Sequence, residues 1–113
     1  MIKVFISCPY TLGDVAQNVK RSIMVADKLM NLGYIPFNPL LSHFSHLVMA
    51  RPYEDWLKLD NEWLKCCDVV LRLSGESKGA DKEVLLATEL GIPVFTKIED
   101  LKKFKYPQDW TGY

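Results

Sequence analysis

The fold class this sequence predicts is α/β: a single doubly wound domain built on a parallel sheet of four to five strands. Three observations predict it. Strand-like and helix-like segments alternate in the order β-α-β-α-β-α-β. The strand runs are mostly apolar, as strands covered on both faces are. Helical stripes lie between them, and two of the helical segments end at glycines, Gly33 and Gly91.

Ile2–Ser7 (IKVFIS) is the first strand, β-rich and bounded by the breakers of Cys8–Gly13. Asp14 is a good N-cap for a helix whose stripe is Val15, Val19, Ile23, Ala26 and Met30. Tyr34–Phe37 is the second strand, with Pro36 pointing to an edge or an early end. Asn38–Arg51, which holds both histidines, reads as a longer loop or irregular segment. Pro52 suits the first turn of a helix running through Trp56, Leu59, Trp63 and Leu64 to about Cys67. Asp68–Leu73 is the third strand and Ser74–Gly79 a polar loop. Ala80–Leu90 is a helix, Ile92–Phe95 the fourth strand, Glu99–Phe104 a short helix and Pro107–Tyr113 an irregular tail. This order is that of flavodoxin-like and Rossmann-like sheets, which bind ligands at the carboxyl ends of their strands. The loops Cys8–Gly13 and Ser74–Gly79 are therefore the places to look.

With 113 residues the chain fits one domain, residues 1–113, and a core this small makes self-association attractive. The formal net charge is zero, which argues against a partner held by phosphate attraction along a nucleic-acid polymer. No apolar run approaches the roughly 20 residues of a membrane span, and no signal peptide is visible. The three cysteines do not make a disulfide framework and read as reduced thiols, which implies the cytoplasm.

The segment Gly75-Glu76-Ser77-Lys78-Gly79-Ala80-Asp81-Lys82-Glu83 leads from a strand into a helix, so backbone N–H groups near Gly79 face the strand ends and suit an anion or a polar sugar. Glu83 falls in the first or second turn, able to face back over the loop while Val84, Leu85 and Leu90 pack the helix. The positive helix end favours an ionised carboxylate, which a glycosyl-transfer nucleophile must be. The plainer alternative is an ordinary surface carboxylate near a helix start.

Asp60, then Cys67-Asp68, then Gly79-Ala80-Asp81-Lys82-Glu83, then Ala87 and Gly91-Ile92-Pro93-Val94, form an ordered set. In that set the chain resembles the nucleoside 2-deoxyribosyltransferases and their nucleotide N-glycosidase relatives. The opening VFISCPY, Asn18 and the run GYIPFNP look like a small phage and bacterial branch with the same fold. The resemblance covers nearly the whole chain and implies cleavage or transfer at an N-glycosidic bond. It places Glu83 at the nucleophilic carboxylate and Asp60 at the acidic residue that contacts the base. Ser77 stands where nucleoside-processing members have an acidic residue and the nucleotide-hydrolysing branch a phosphate-binding Ser, which tilts the reading towards a 5′-monophosphate. Ser7 at the end of the first strand, Pro9 and Tyr10 in the loop after it, His43, Ser77 and Gly79 are the expected substrate-binding residues. The structural alternatives are a helix-surface Asp60 paired with Lys58 or Lys65, and Ser77 as a simple turn or N-cap residue.

Two departures stand out. Many members carry a first-strand Tyr that holds the catalytic Glu, and Phe5 is the nearest match. Either Tyr10 substitutes or the orienting group is absent. Pro9 occupies the place of a second phosphate-binding hydroxyl. His43 and His46, three apart, have no third ligand at a familiar spacing, so neither a metal nor any other cofactor is expected, and a lid over the pocket is the better reading. Trp56 and Trp63 share a helix face as core or interface aromatics, with stacking on a base the sharper alternative. Arg51 and Arg72 are candidate phosphate contacts, and Lys102, Lys103 and Lys105 a solvated face. The partner is thus a small nucleoside or nucleotide, in a homo-oligomer that completes the pocket. A nucleotide-binding module without turnover is the competing function.

Overall fold

The computed structural model describes residues 1–104. The four strands are β1 (Lys3–Ser7), β2 (Ile35–Phe37), β3 (Val69–Arg72) and β4 (Val94–Phe95). They form an all-parallel sheet in the order β2-β1-β3-β4, so β2 is the edge strand its proline suggested. The helices are α1 (Val15–Asn31), α2 (Ser42–Val48), α3 (Tyr53–Leu64), α4 (Lys78–Glu89) and the short α5 (Ile98–Leu101). The expected tail Pro107–Tyr113 lies outside the described residues.

The period-two alternation of β1 sorts the helices. Val4, Ile6 and Cys8 face one side, where Val19 and Leu29 of α1 and Leu101 of α5 pack with Val69 and Leu71. Phe5 faces the other side, with Leu64 of α3, Val70 and Ala87 of α4. Phe5 is fully buried there, and truncating it to Ala would cost about 3–5 kcal/mol. Ser7 shares the Phe5 face, one pleat further on, at the carboxyl end of the strand.

Three sequence expectations are corrected. The Asn38–Arg51 segment is not a loop: a 3₁₀ turn at Pro39–Leu41 leads into α2. No residue of α2 is buried, so no inward stripe marked it as helical. In α1 the core stripe runs through Val19, Ser22 and Leu29, while Ile23 and Met30 are exposed. A polar residue takes the inward position because Ser22 Oγ accepts from Asn38 Nδ2 at 3.0 Å, tying α1 to the chain beyond β2. In α4 the packing residues are Ala80 and Ala87, and Leu85 and Leu90 are exposed. Small side chains let that helix lie close on the sheet.

Several residues of the family-like set turn out to hold the frame. Asp68 and Lys3 clamp the starts of β1 and β3: Lys3 N donates to Asp68 Oδ2 at 2.7 Å and Asp68 N to Lys3 O at 2.9 Å. Asn18 Nδ2 donates to the carbonyls of Tyr10 and Leu12 at 3.0 and 2.8 Å, stapling the loop after β1.

Candidate active site

The chain runs one way out of β1, through α1, and the other way out of β3, through α4. The crevice between such divergent loops is where doubly wound sheets bind ligands. A cavity of about 850 Å³ opens there. Its walls are the loop after β1, α2, the start of α4, and one stripe of α3: Tyr53, Trp56, Leu57 and Asp60. The spacing i, i+3, i+4, i+7 puts those four side chains on one helix face.

Glu83, in the second turn of α4, lines this cavity and is only 8% exposed, so it is no ordinary surface carboxylate. Ser7 Oγ donates to its Oε1 at 2.8 Å. Burial pushes the Glu83 carboxyl up to about 7; the Ser7 hydrogen bond opposes the rise, Asp60 adds to it and Arg72 opposes it. Asp60 lines the same cavity, and burial raises it too, to about 7. It pairs with neither Lys58 nor Lys65; the latter bonds Glu62 at 3.0 Å. Two carboxyl groups thus share one partly dry space and titrate near neutrality, an arrangement that lets one be ionised while the other holds a proton.

Ser77 is both things its sequence position allowed. It caps α4, accepting from Ala80 N at 3.1 Å, and it lines the cavity. The helix therefore starts at Lys78, two residues before the expected Ala80, and Gly79 lies in its first turn. Two arginines hold the loop before it. Arg21 of α1 donates to Ser74 O at 2.7 Å, and Arg72 donates to Gly75 O at 2.9 Å, to the Leu73 carbonyl and to Asp81 Oδ1 at 3.1 Å. Gly75 has φ +122° and sits so close to Pro9 that a Cβ would lie 3.0 Å from Pro9 Cγ. The proline ring and the glycine lock the two ligand-end loops together.

Of the expected site residues, Glu83, Asp60, Tyr10, His43, Ser77 and Gly79 all line the cavity. Ser7 and Pro9 do not. Ser7 is fully buried beneath Glu83 and Pro9 is packed on Gly75. Phe5 lies in the core, and the group orienting Glu83 is Ser7 rather than Tyr10. Tyr10 instead shares a 2.6 Å hydrogen bond with His43 Nδ1. Trp56 and Trp63 part company: Trp56 faces the cavity, while Trp63 stacks on Phe37.

Sequence reasoning missed two features. Tyr53 belongs to the cavity stripe, a position readable from its spacing to Asp60. His46 Nδ1 accepts from Trp56 Nε1 at 2.9 Å and from Arg51 N at 3.2 Å, tying α2 to α3. That double acceptance puts the neutral ring's proton on Nε2. Among the described residues no group of three His, Cys, Asp or Glu side chains is arranged to hold a metal ion.

No curated protein matches the chain in sequence. Among solved structures it is similar to the 2-deoxyribosyltransferase of the psychrotolerant bacterium Bacillus psychrosaccharolyticus, with a TM-score of 0.67 at 19% identity. The match covers 92% of this chain and 93% of that one. The chain thus has a nucleoside 2-deoxyribosyltransferase-like fold. Residues 2–96 match the family model described as a domain of unknown function (DUF4406), and it is to that family that the chain belongs.

Proposed function

We propose that the chain binds a nucleoside or nucleoside 5′-monophosphate in this cavity and cleaves or transfers its N-glycosidic bond. The observation that carries the reading is the pairing of Glu83, held by Ser7, with Asp60 in one cavity at the carboxyl end of the sheet. Ionised Glu83 attacks the anomeric carbon of the sugar. Protonated Asp60 gives its proton to the departing base. Water then releases the sugar as hydrolysis, or a second base accepts it as transfer. The named activity of the Bacillus relative, a biocatalyst for nucleoside synthesis, supports the same class of chemistry. Ser77, Lys78 and Lys82, all lining the cavity, favour a 5′-monophosphate over a bare nucleoside.

The test is incubation with a panel of nucleosides and 5′-monophosphates, reading free base by chromatography. Release that vanishes in Glu83→Gln supports the reading; ligand bound without release supports the second one. That second reading, a nucleotide-binding module without turnover, draws on Phe5, which leaves Glu83 without the phenol that many relatives supply.

The working unit we infer is a homo-oligomer. α2 walls the cavity, and it also exposes Phe44, Leu47 and Val48, followed by Met49. No charged residue occurs from Asn38 to Ala50. An exposed apolar stretch beside a ligand site suits a second copy of the chain. The three free thiols support a reducing, cytoplasmic location. Among the described residues no helix is long and apolar enough to cross a membrane.

A further inference from the structure

We propose that Tyr53 reads the 5′-phosphate end of the ligand, and that the missing side chain of Gly79 is what seats it there. The inference rests on the glycosidic reading above and adds a residue to which neither the family-like motifs nor the carboxylate pair points. Tyr53 opens α3 and shares its cavity face with Asp60, seven residues on. Its phenol crosses to the opposite wall: a Cβ built on Gly79 would lie 3.3 Å from the Tyr53 hydroxyl oxygen and 3.9 Å from Ser77 Oγ. A contact of 3.3 Å is tighter than ordinary van der Waals packing, so a Cβ at position 79 makes the phenol give way by a few tenths of an ångström.

The hydroxyl has no hydrogen-bond partner among the described residues. Burial, and then the charges of Glu83 and Asp60, oppose its ionisation, so it stays a donor at neutral pH. Gly79 stands one helical turn, about 5.4 Å, before Glu83. In the proposed pose the anomeric carbon lies at Glu83 and the 5′ end is directed to the start of α4, beside Ser77 and Tyr53. Lys78 adjoins Gly79 and lines the cavity, as does Ser77 just before it, while Arg51, two residues before Tyr53, is paired with Asp55 at 3.2 Å. An anionic oxygen accepts from a phenol there more strongly than a neutral hydroxyl would.

Calorimetric titration of a matched deoxynucleoside and its 5′-monophosphate, together with steady-state base release, tests this on wild type, Tyr53→Phe, Gly79→Ala and the double variant. The expected result is a loss of about tenfold or more in monophosphate affinity for Tyr53→Phe. The nucleoside should change by less than about threefold, because only the phosphate makes the contact. Gly79→Ala should show a selective loss of the same sign, and the double variant no more than Tyr53→Phe alone, since both act through one phenol. Alanine favours a helix interior over glycine, so that variant should fold. Wild-type monophosphate affinity in Tyr53→Phe, equal losses for both ligands, or losses that multiply in the double variant would each overturn the role of Tyr53 while leaving the glycosidic reading in place. A wild-type protein that binds no member of the pair series overturns both.

Discussion

The Ser7 hydroxyl donates to Glu83 Oε1 at 2.8 Å, joining the end of the first strand to a helix 76 residues further along the chain. The bond favours the ionised carboxylate and so opposes the rise that burial imposes. Removing it in Ser7→Ala leaves burial opposed only by Arg72 and raises the Glu83 carboxyl further above about 7. A nucleophile must be ionised, so the acidic limb of the pH–rate profile should move to higher pH. The rate at neutral pH should fall roughly tenfold, for about 1–1.5 kcal/mol of lost hydrogen bonding and positioning. An acidic limb displaced to higher pH, with the basic limb that Asp60 sets left in place, would confirm that the variant's defect is ionisation. A profile superimposable on wild type would show that Ser7 does not govern the carboxylate.

Glu83→Gln separates chemistry from stability. The amide oxygen can still accept from Ser7, so the fold should persist while base release disappears. A buried carboxyl raised from 4.5 to about 7 binds its proton more tightly when folded than unfolded. The stability this confers is complete below the unfolded value and is lost as pH climbs through about 7. Above that point the charged form costs the fold on the order of 3 kcal/mol by linkage. Glutamine avoids the cost. Urea unfolding should therefore find the variant more stable than wild type at pH 8, by about 1–3 kcal/mol, and much closer to it at pH 5. An advantage that does not grow with pH would rule out the titration.

Local patterns carried the frame of this molecule and half of its site. The apolar runs of β1 and β3, the N-cap Asp14 and the edge proline Pro36 are local signals, and each marks what it marks in any parallel sheet. Glu83 and Asp60 were legible as members of an ordered set. What was not legible depends on distant partners. α2 buries none of its residues, so no periodic stripe exists for a sequence to display. Ser22 takes an inward position in α1 that only its bond to Asn38 explains. Ser7 reads as a ligand contact until the sheet's pleat sends it beneath Glu83. Phe5 reads as a lost phenol, although its face of the sheet belongs to the core.

The apolar surface of α2 gives an oligomerisation test. Val48 is 81% exposed, so Val48→Glu removes no packing within the chain and should leave its folding stability within about 0.5 kcal/mol. In a self-associated interface the same carboxylate would be buried without a partner, at a cost of several kcal/mol. Sedimentation at micromolar concentration should show a dimer or larger species for wild type and a smaller one for the variant. If a neighbour completes the pocket, base release should fall with dissociation. A wild-type monomer at that concentration would contradict the assignment.

The last prediction concerns which 5′ end the site accepts, and Ser77 makes it unusually clean. As the N-cap of α4, Ser77 accepts from Ala80 N, and its own proton remains available to a ligand. Replacing it with Ala would remove the cap as well as the contact, costing about 1 kcal/mol of helix stability and confusing the result. Aspartate is an equally good N-cap, so Ser77→Asp keeps α4 in place and changes only what the ligand meets. A phosphate there loses a donor and gains a like charge; a 5′ hydroxyl gains a strong acceptor. Wild type should therefore bind monophosphates about ten- to a hundredfold better than nucleosides, the worth of one charge-assisted hydrogen bond. Ser77→Asp should shrink or reverse that ratio, with thermal unfolding unchanged to within a few degrees. Titration calorimetry on matched pairs decides it. Equal affinity for both ligands, unmoved by the substitution, would mean that the start of α4 does not read the 5′ position.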